Sequence, residues 1–238
     1  MKLKKAFKII IGIVIFITLP SLLLYGFAYF KYNEELPQGQ TGIEADALAT
    51  KMQNALNINA FNNTKYIEFT ALNRRHYEWE KSKNICKIYW KDFKVELNLK
   101  NLDSSSAYIH SFKVTGDQKG KLYKKAIKYF NKDMFWLTAP YKAFEKGVER
   151  RIVKTKNNTD ALLITHPKED NTPIKTYLWI LDSYGKPTAF KMWDSSLLIN
   201  GMEASWSDWI TTKSGAQLPV FHKLFLFGIE FKNIIGTP

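Results

Sequence analysis

The chain has 238 residues and a formal net charge of +13, from 35 Lys and Arg against 22 Asp and Glu. Its single cysteine, Cys86, excludes an intramolecular disulfide, and no Cys-x-x-Cys or His-x-x-x-His pair supports a tetrahedral metal site. Walker, dinucleotide and Gly-x-Ser-x-Gly fingerprints are missing, so nucleotide and serine-hydrolase chemistry have no motif to rest on.

From Ile9 to Phe30 no residue is charged, and Lys2, Lys4, Lys5 and Lys8 stand just before that run. A helix of about 22 residues, rising about 1.5 Å each, spans a hydrocarbon core of about 30 Å. The run is too long for the core of a cleaved signal, and Tyr25, Phe27, Tyr29 and Phe30 are bulky where a peptidase needs small side chains. Residues 1–30 are therefore expected to be an uncleaved signal anchor. Pro20 predicts a kink, and Tyr25, Tyr29 and Tyr32 an aromatic belt. The lysines before the run outnumber Lys31 after it, which puts the N-terminus in the cytoplasm and the rest outside. Residues 31–42, with Pro37 and Gly39, read as a polar linker, and 43–238 as one domain.

Glu44 to about Ala60 predicts a helix, because Ala47, Leu48, Met52, Ala55 and Leu56 share one face. The period then changes to two, giving strands at Tyr66–Ala71, His76–Glu80, Ile85–Trp90 and Phe93–Leu97. Lys121–Phe130 predicts an amphipathic helix, followed by Met134–Leu137 and a turn over Phe144–Gly147. Strand patterns resume at Arg150–Lys156, Ala161–His166, Lys175–Leu181, Thr188–Trp193, Ala204–Thr212 and His222–Phe231. The sum is an α+β fold: about ten strands in a large curled antiparallel sheet, an incomplete barrel around helices, preceded by one transmembrane helix.

Seven tryptophans are present. Trp79, Trp90, Trp136, Trp179, Trp193 and Trp206 are candidates to line a cavity for an apolar ligand, since such pockets are walled by aromatics. They can equally fill a wide core and hydrogen-bond their N–H groups locally, as can Trp209. A closed, tryptophan-packed interior would favour a protein-docking module over a ligand carrier.

Lys121, Lys124, Lys125 and Lys128 fall on one helix face, either solvated or facing an anionic membrane surface or acidic partner. His76, His110, His166 and His222 are scattered, and Cys86 reads as a small buried side chain. Asp194, Glu203 and Asp208 are the carboxylates that a hydrolase would need, with turn and solvent roles as the plainer reading.

One ordered set of residues carries a resemblance. It comprises Glu44–Ala49, Tyr77, Trp79, Asn84, Trp90, Asn131–Leu137, Pro140, Gly147-Val148, Gly185, Pro187 and Met192-Trp193. It continues through Gly201-Met202-Glu203, Ser205-Trp206, Trp209, Thr212, Gly215-Ala216 and His222. From Gly42 to about Phe231 the chain resembles uncharacterised bacterial extracytoplasmic proteins similar to the outer-membrane lipoprotein carrier and localisation superfamily. The resemblance implies an open β-barrel around helices with a cavity for acyl chains; the apolar run departs from the cleaved signal of a diffusing carrier and is expected to tether the domain, on the periplasmic side, to the inner membrane. The expected function is binding of an acyl chain, lipoprotein or other hydrophobic ligand, with no catalysis, no cofactor, no metal and no nucleic acid. The alternatives are an envelope docking module without a cavity and a hydrolase.

Overall fold

The computed structural model describes residues 2–167 and 174–238; the side chains of Lys2, Leu3, Lys4 and Ala6 lie outside what is described. Helix α1 (Lys2–Tyr32) is followed by α2 (Ile43–Ala55), α3 (Ile58–Asn63) and an open antiparallel sheet of fourteen strands. The first six strands form a meander: β1 (Tyr66–Ala71), β2 (Arg75–Glu80), β3 (Ile85–Trp90), β4 (Phe93–Asn98), β5 (Ser106–Ile109) and β6 (Phe112–Val114). Helix α4 (Gly116–Thr138) then carries the chain from β6, one edge of the sheet, to β7 (Glu149–Lys154), the other. From there β8 (Asp160–Thr165), β9 (Lys175–Leu181), β10 (Pro187–Asp194) and β11 (Met202–Ser205) return toward the middle. β12 (Ser207–Thr211) pairs β13 (Gln217–Leu224), and β14 (Phe227–Thr237) joins the halves by pairing β13 with its first residues and β1 with the rest.

The α+β class holds, but the expected strand count of about ten is corrected to fourteen among the described residues. Short β5 and β6 lack a strong period-two pattern. The run Ala204–Thr212 is two strands, because Trp206 leaves the ladder to bond Thr188. The run His222–Phe231 is a hairpin whose turn, Phe225-Leu226, contains no Gly, Asn or Asp to mark it. The first predicted helix breaks at Asn57, which adopts a left-handed conformation (φ 56°) and caps α3 by accepting from the Ala60 N–H.

The helices sit on one face of the sheet. Ala49 and Met52 of α2, Leu56 just past its end, and Leu122, Ala126 and Leu137 of α4 pack on Ile67, Phe69, Ile88, Val95, Leu97, Leu162 and Trp179 in one continuous core. The opposite face differs along the sheet. On β1–β4 it is polar, with Glu78 reaching Lys87 at 3.4 Å and His76 3.7 Å from Glu68. On β7–β10 it is apolar too: Val153, Ala161, Leu163, Leu178 and Trp193 form a second small core. Strand β8 is buried on both faces, which explains its unbroken Ala161-Leu162-Leu163-Ile164 run.

The expected linker runs beside this second core. The Glu34 carbonyl accepts from Trp193 Nε1 at 2.9 Å, and its carboxylate meets Lys191 at 2.7 Å and Lys156 at 3.4 Å. Gln40 pairs with Ile152 of β7 through two backbone hydrogen bonds. Burial pushes the Glu34 carboxyl up, but the bonds and charges of Lys191 and Lys156 outweigh it and hold the group below its ordinary value. Helix α1 runs on continuously through Pro20, and Phe7–Tyr32 is long and apolar enough to cross a membrane.

A Cβ added at Gly39 would sit 2.8 Å from Arg151 Cβ and 2.9 Å from the Ile152 carbonyl. Gly39→Ala is therefore expected to lift the segment from β7, costing on the order of 1–3 kcal/mol. Limited proteolysis should then cleave between residues 33 and 42 faster than in the unaltered chain.

Candidate ligand-binding site

The tryptophans split into three environments. Trp136, Trp179 and Trp206 are buried together: Trp206 lies 4.9 Å from Trp179 and 5.8 Å from Trp136 between ring centroids. Phe135, Tyr177, Phe190 and His222 complete this cluster. It fills the space between α4 and the sheet, so these three candidates pack on one another rather than around a void. Trp90 is buried beside Tyr129 and Phe93. Trp193 faces the other side of the sheet, where it borders a cleft of about 400 Å³ under the linker segment. Trp79 borders a cleft on the helix side.

The helix side is open at its rim, on both flanks of the 3-10 turn Ala139–Lys142 that ends α4. One cleft, about 290 Å³, lies between α4 and β9 and is walled by Phe130, Met134, Phe135 and Tyr177, with His166, Lys142 and Lys175. The other, about 450 Å³, lies toward β2 and is walled by Ile58, Phe61, Trp79, Tyr141 and Phe144, with Gln53. Lys142 and Glu145 border both. The second cleft has apolar walls with a few polar groups at its mouth, the chemistry of a site for an amphiphile, whereas the first is lined as much by polar groups, Asn131, Lys142, Glu145, His166 and Lys175, as by apolar ones. The indole N–H groups of Trp79, Trp90 and Trp206 are buried with no hydrogen-bond partner, whereas Trp193 and Trp209 donate to backbone carbonyls. A buried unpaired donor costs about 1–3 kcal/mol, and the sealed N–H groups of Trp79, Trp90 and Trp206 carry that cost.

Polar chemistry sits deeper. Asp133 stands on the apolar stripe of α4 formed by Leu122, Ala126 and Leu137. Its carboxylate accepts from Arg75 Nε at 2.6 Å and Nη2 at 3.0 Å, and from the Tyr77 hydroxyl. Arg75 also lies over the Tyr129 ring, 4.7 Å from its centroid. The alternation of β2 turns Arg75, Tyr77 and Trp79 toward α4, and His76, Glu78 and Glu80 outward. Burial, with the Asp133 charge and hydrogen bond, pushes the Tyr77 hydroxyl far above its ordinary value. The sequence signal for this clamp is an acidic residue in the middle of an apolar helical stripe.

The remaining candidates do not converge. Asp194 accepts from the backbone N–H and hydroxyl of Ser196 in its own turn, while Glu203 and Asp208 are exposed. His110 is exposed beside Asp92, and Cys86 is fully buried. Lys121, Lys124, Lys125 and Lys128 line the exposed face of α4. No cluster of His, Cys, Asp and Glu able to hold a metal occurs among the described residues. Comparison with protein-family models, with curated proteins and with solved structures finds no match to this chain.

Replacing Asp133 by Asn should strand the buried Arg75 guanidinium and cost about 3–5 kcal/mol. Chemical denaturation measures this; a loss below about 1 kcal/mol would show that the pair is no clamp. His222 gives a pH signature. Burial pushes its imidazole down to about 4, opposed by hydrogen bonds to backbone groups of Ser205 and Trp136. Between about pH 6.5 and 4 the unfolded chain therefore binds the proton and the folded one does not. Stability is expected to fall by on the order of 3 kcal/mol as pH drops through that window. In urea titrations His222→Gln should flatten this slope.

Proposed function

We propose that this chain is a membrane-anchored binding module that holds an acyl chain, an acylated protein or another amphiphile in the clefts beside the end of α4, and performs no chemistry on it. The observation that carries the reading is the apolar cleft walled by Ile58, Phe61, Trp79 and Phe144, which meets a second, more polar cleft at Lys142. An acyl chain would lie along Phe61, Phe144 and Trp79 or along Phe130, Met134 and Tyr177, with its acidic or carbonyl head toward Lys142. On this reading the sheet is the incomplete barrel of a lipoprotein-carrier-like protein. Its domain stands in the periplasm of a bacterium and α1 is a single-pass anchor in the inner membrane. A carrier must travel, and a tethered module hands its ligand on within reach of the bilayer.

One observation favours a second reading. The ring cluster around Trp206 leaves no wide interior cavity, as expected of an envelope docking module whose exposed α4 lysines meet an acidic partner. The two readings separate by experiment. The full chain in nanodiscs is exposed to a photoactivatable fatty acid, and labelled peptides are mapped by mass spectrometry. Label is expected within residues 58–61, 79, 130–135, 142–144 and 177. Ile58→Asp and Phe144→Asp, which place charge in the apolar wall, should each reduce it about tenfold, equivalent to about 1.4 kcal/mol. Label confined to α1, or unchanged in both variants, would reject the ligand reading. Crosslinking to one dominant partner that is lost on charge reversal at Lys121, Lys124 and Lys125 would support the second.

A further inference from the structure

The two hairpin ends next to α1 carry apolar side chains into solvent. The β13–β14 turn is Leu224-Phe225-Leu226-Phe227, with Leu226 72% and Phe227 70% exposed. The β10–β11 loop is Ser195-Ser196-Leu197-Leu198-Ile199-Asn200, with Leu198 76% exposed. Both lie at the same end of the sheet, because β11 pairs antiparallel with β13 through Ala204 and Leu224.

The turn chemistry adds a second observation. Leu224 pairs with Phe227, so the hairpin has a two-residue turn, the kind that Asn-Gly serves best. Phe225 instead occupies it at φ 52°, a left-handed conformation that strains a bulky residue. Neither turn geometry nor the core explains apolar residues there. The chain following α1 touches both loops. Tyr32 meets the Phe225 ring edge-on at 5.6 Å between centroids. Asn33 Oδ1 accepts from the Asn200 N–H at 2.9 Å, and the Glu34 N–H donates to the Asn200 carbonyl at 2.9 Å. Two residues of extended chain reach only about 7 Å, so both loops lie beside the point where α1 ends. Lys31 and Lys223 are exposed next to them, as suits an anionic headgroup layer.

We infer that these two loops dip into the interface of the same bilayer that α1 spans, giving the domain a second foot and a fixed orientation on the membrane. The inference rests on α1 being transmembrane, and its occupant is the lipid surface, because that surface is where the helix end and both loops converge. Apolar and aromatic tips flanked by lysine are the chemistry of interfacial insertion.

Spin labels test it in the full chain, reconstituted in nanodiscs of equal parts phosphatidylcholine and phosphatidylglycerol. Cys86 is fully buried, and the unaltered chain controls for its labelling. Four single variants are compared: Leu198→Cys, Leu226→Cys, Ile15→Cys within α1, and Tyr184→Cys. Tyr184 is 83% exposed and sits in the turn at the opposite end of β10. Labels at 198 and 226 are expected to collide more with oxygen than with a nickel chelate, as at 15, whereas 184 shows the reverse. If 198 and 226 behave like 184 while 15 reads as lipid, the foot is refuted and the anchor stands. A water-exposed label at 15 refutes the anchor and the foot together. Exclusion of both collision agents at 198 and 226 would mean a protein neighbour there and would also overturn the inference.

Discussion

A charge pair withdrawn from water holds the longest connection in this fold. Helix α4 must travel from one free edge of the sheet to the other, and hydrophobic contact alone would let it slide along the apolar surface beneath it. The two-pronged bond from Arg75 to Asp133, with Tyr77 as third partner, removes that freedom because its donors and acceptor fit at one position only. Pairs of this kind contribute more to uniqueness of position than to net stability. The width of both rim clefts follows, since each has α4 or the turn at its end as one wall.

The second constraint acts on the other face. Strands β7–β10 bury apolar residues on both sides, and the outer layer needs a cover. That cover is a short stretch of chain rather than a helix. It is held by the Trp193 indole, the Lys191–Glu34 pair and one backbone bridge to β7. The stretch between α1 and α2 is thus used up as structure, leaving little slack between α1 and the domain.

Much of this was legible from residues. The uncharged length of the run to Phe30, and the strong local periods of the meander from Tyr66 to Leu97 and of the amphipathic helix over Lys121–Phe130, marked elements that each formed. What failed did so for local reasons. Trp206 interrupts its strand by bonding Thr188 across the sheet, which no period reveals. The Phe225-Leu226 turn has the composition of a strand interior. The linker looked free because its partners, Trp193, Lys191 and Ile152, are far away in sequence. As for the site, the tryptophan excess pointed to the helix side but could not separate rings that fill from rings that line. Trp136, Trp179 and Trp206 fill; Trp79 lines a cleft on the helix side and Trp193 one on the outer face. The Asp133 clamp was visible in principle, as a charge on an apolar stripe, yet its partner Arg75 is found only by docking α4 on β2.

The position of β14 has a consequence for how the chain comes together. It is the last strand in sequence, yet it lies between β13 and β1 in the middle of the sheet. Until it is present, the meander that begins with β1 and the half that ends with β13 share no ladder, and each shows an open edge. Its pairing with β1 closes nearly the whole length of the domain, a contact whose loop entropy must be met before its hydrogen bonds repay it. Cooperative assembly of the sheet therefore waits on the C-terminal strand, and a chain emerging N-terminus first passes through a stage with two separate, unjoined halves.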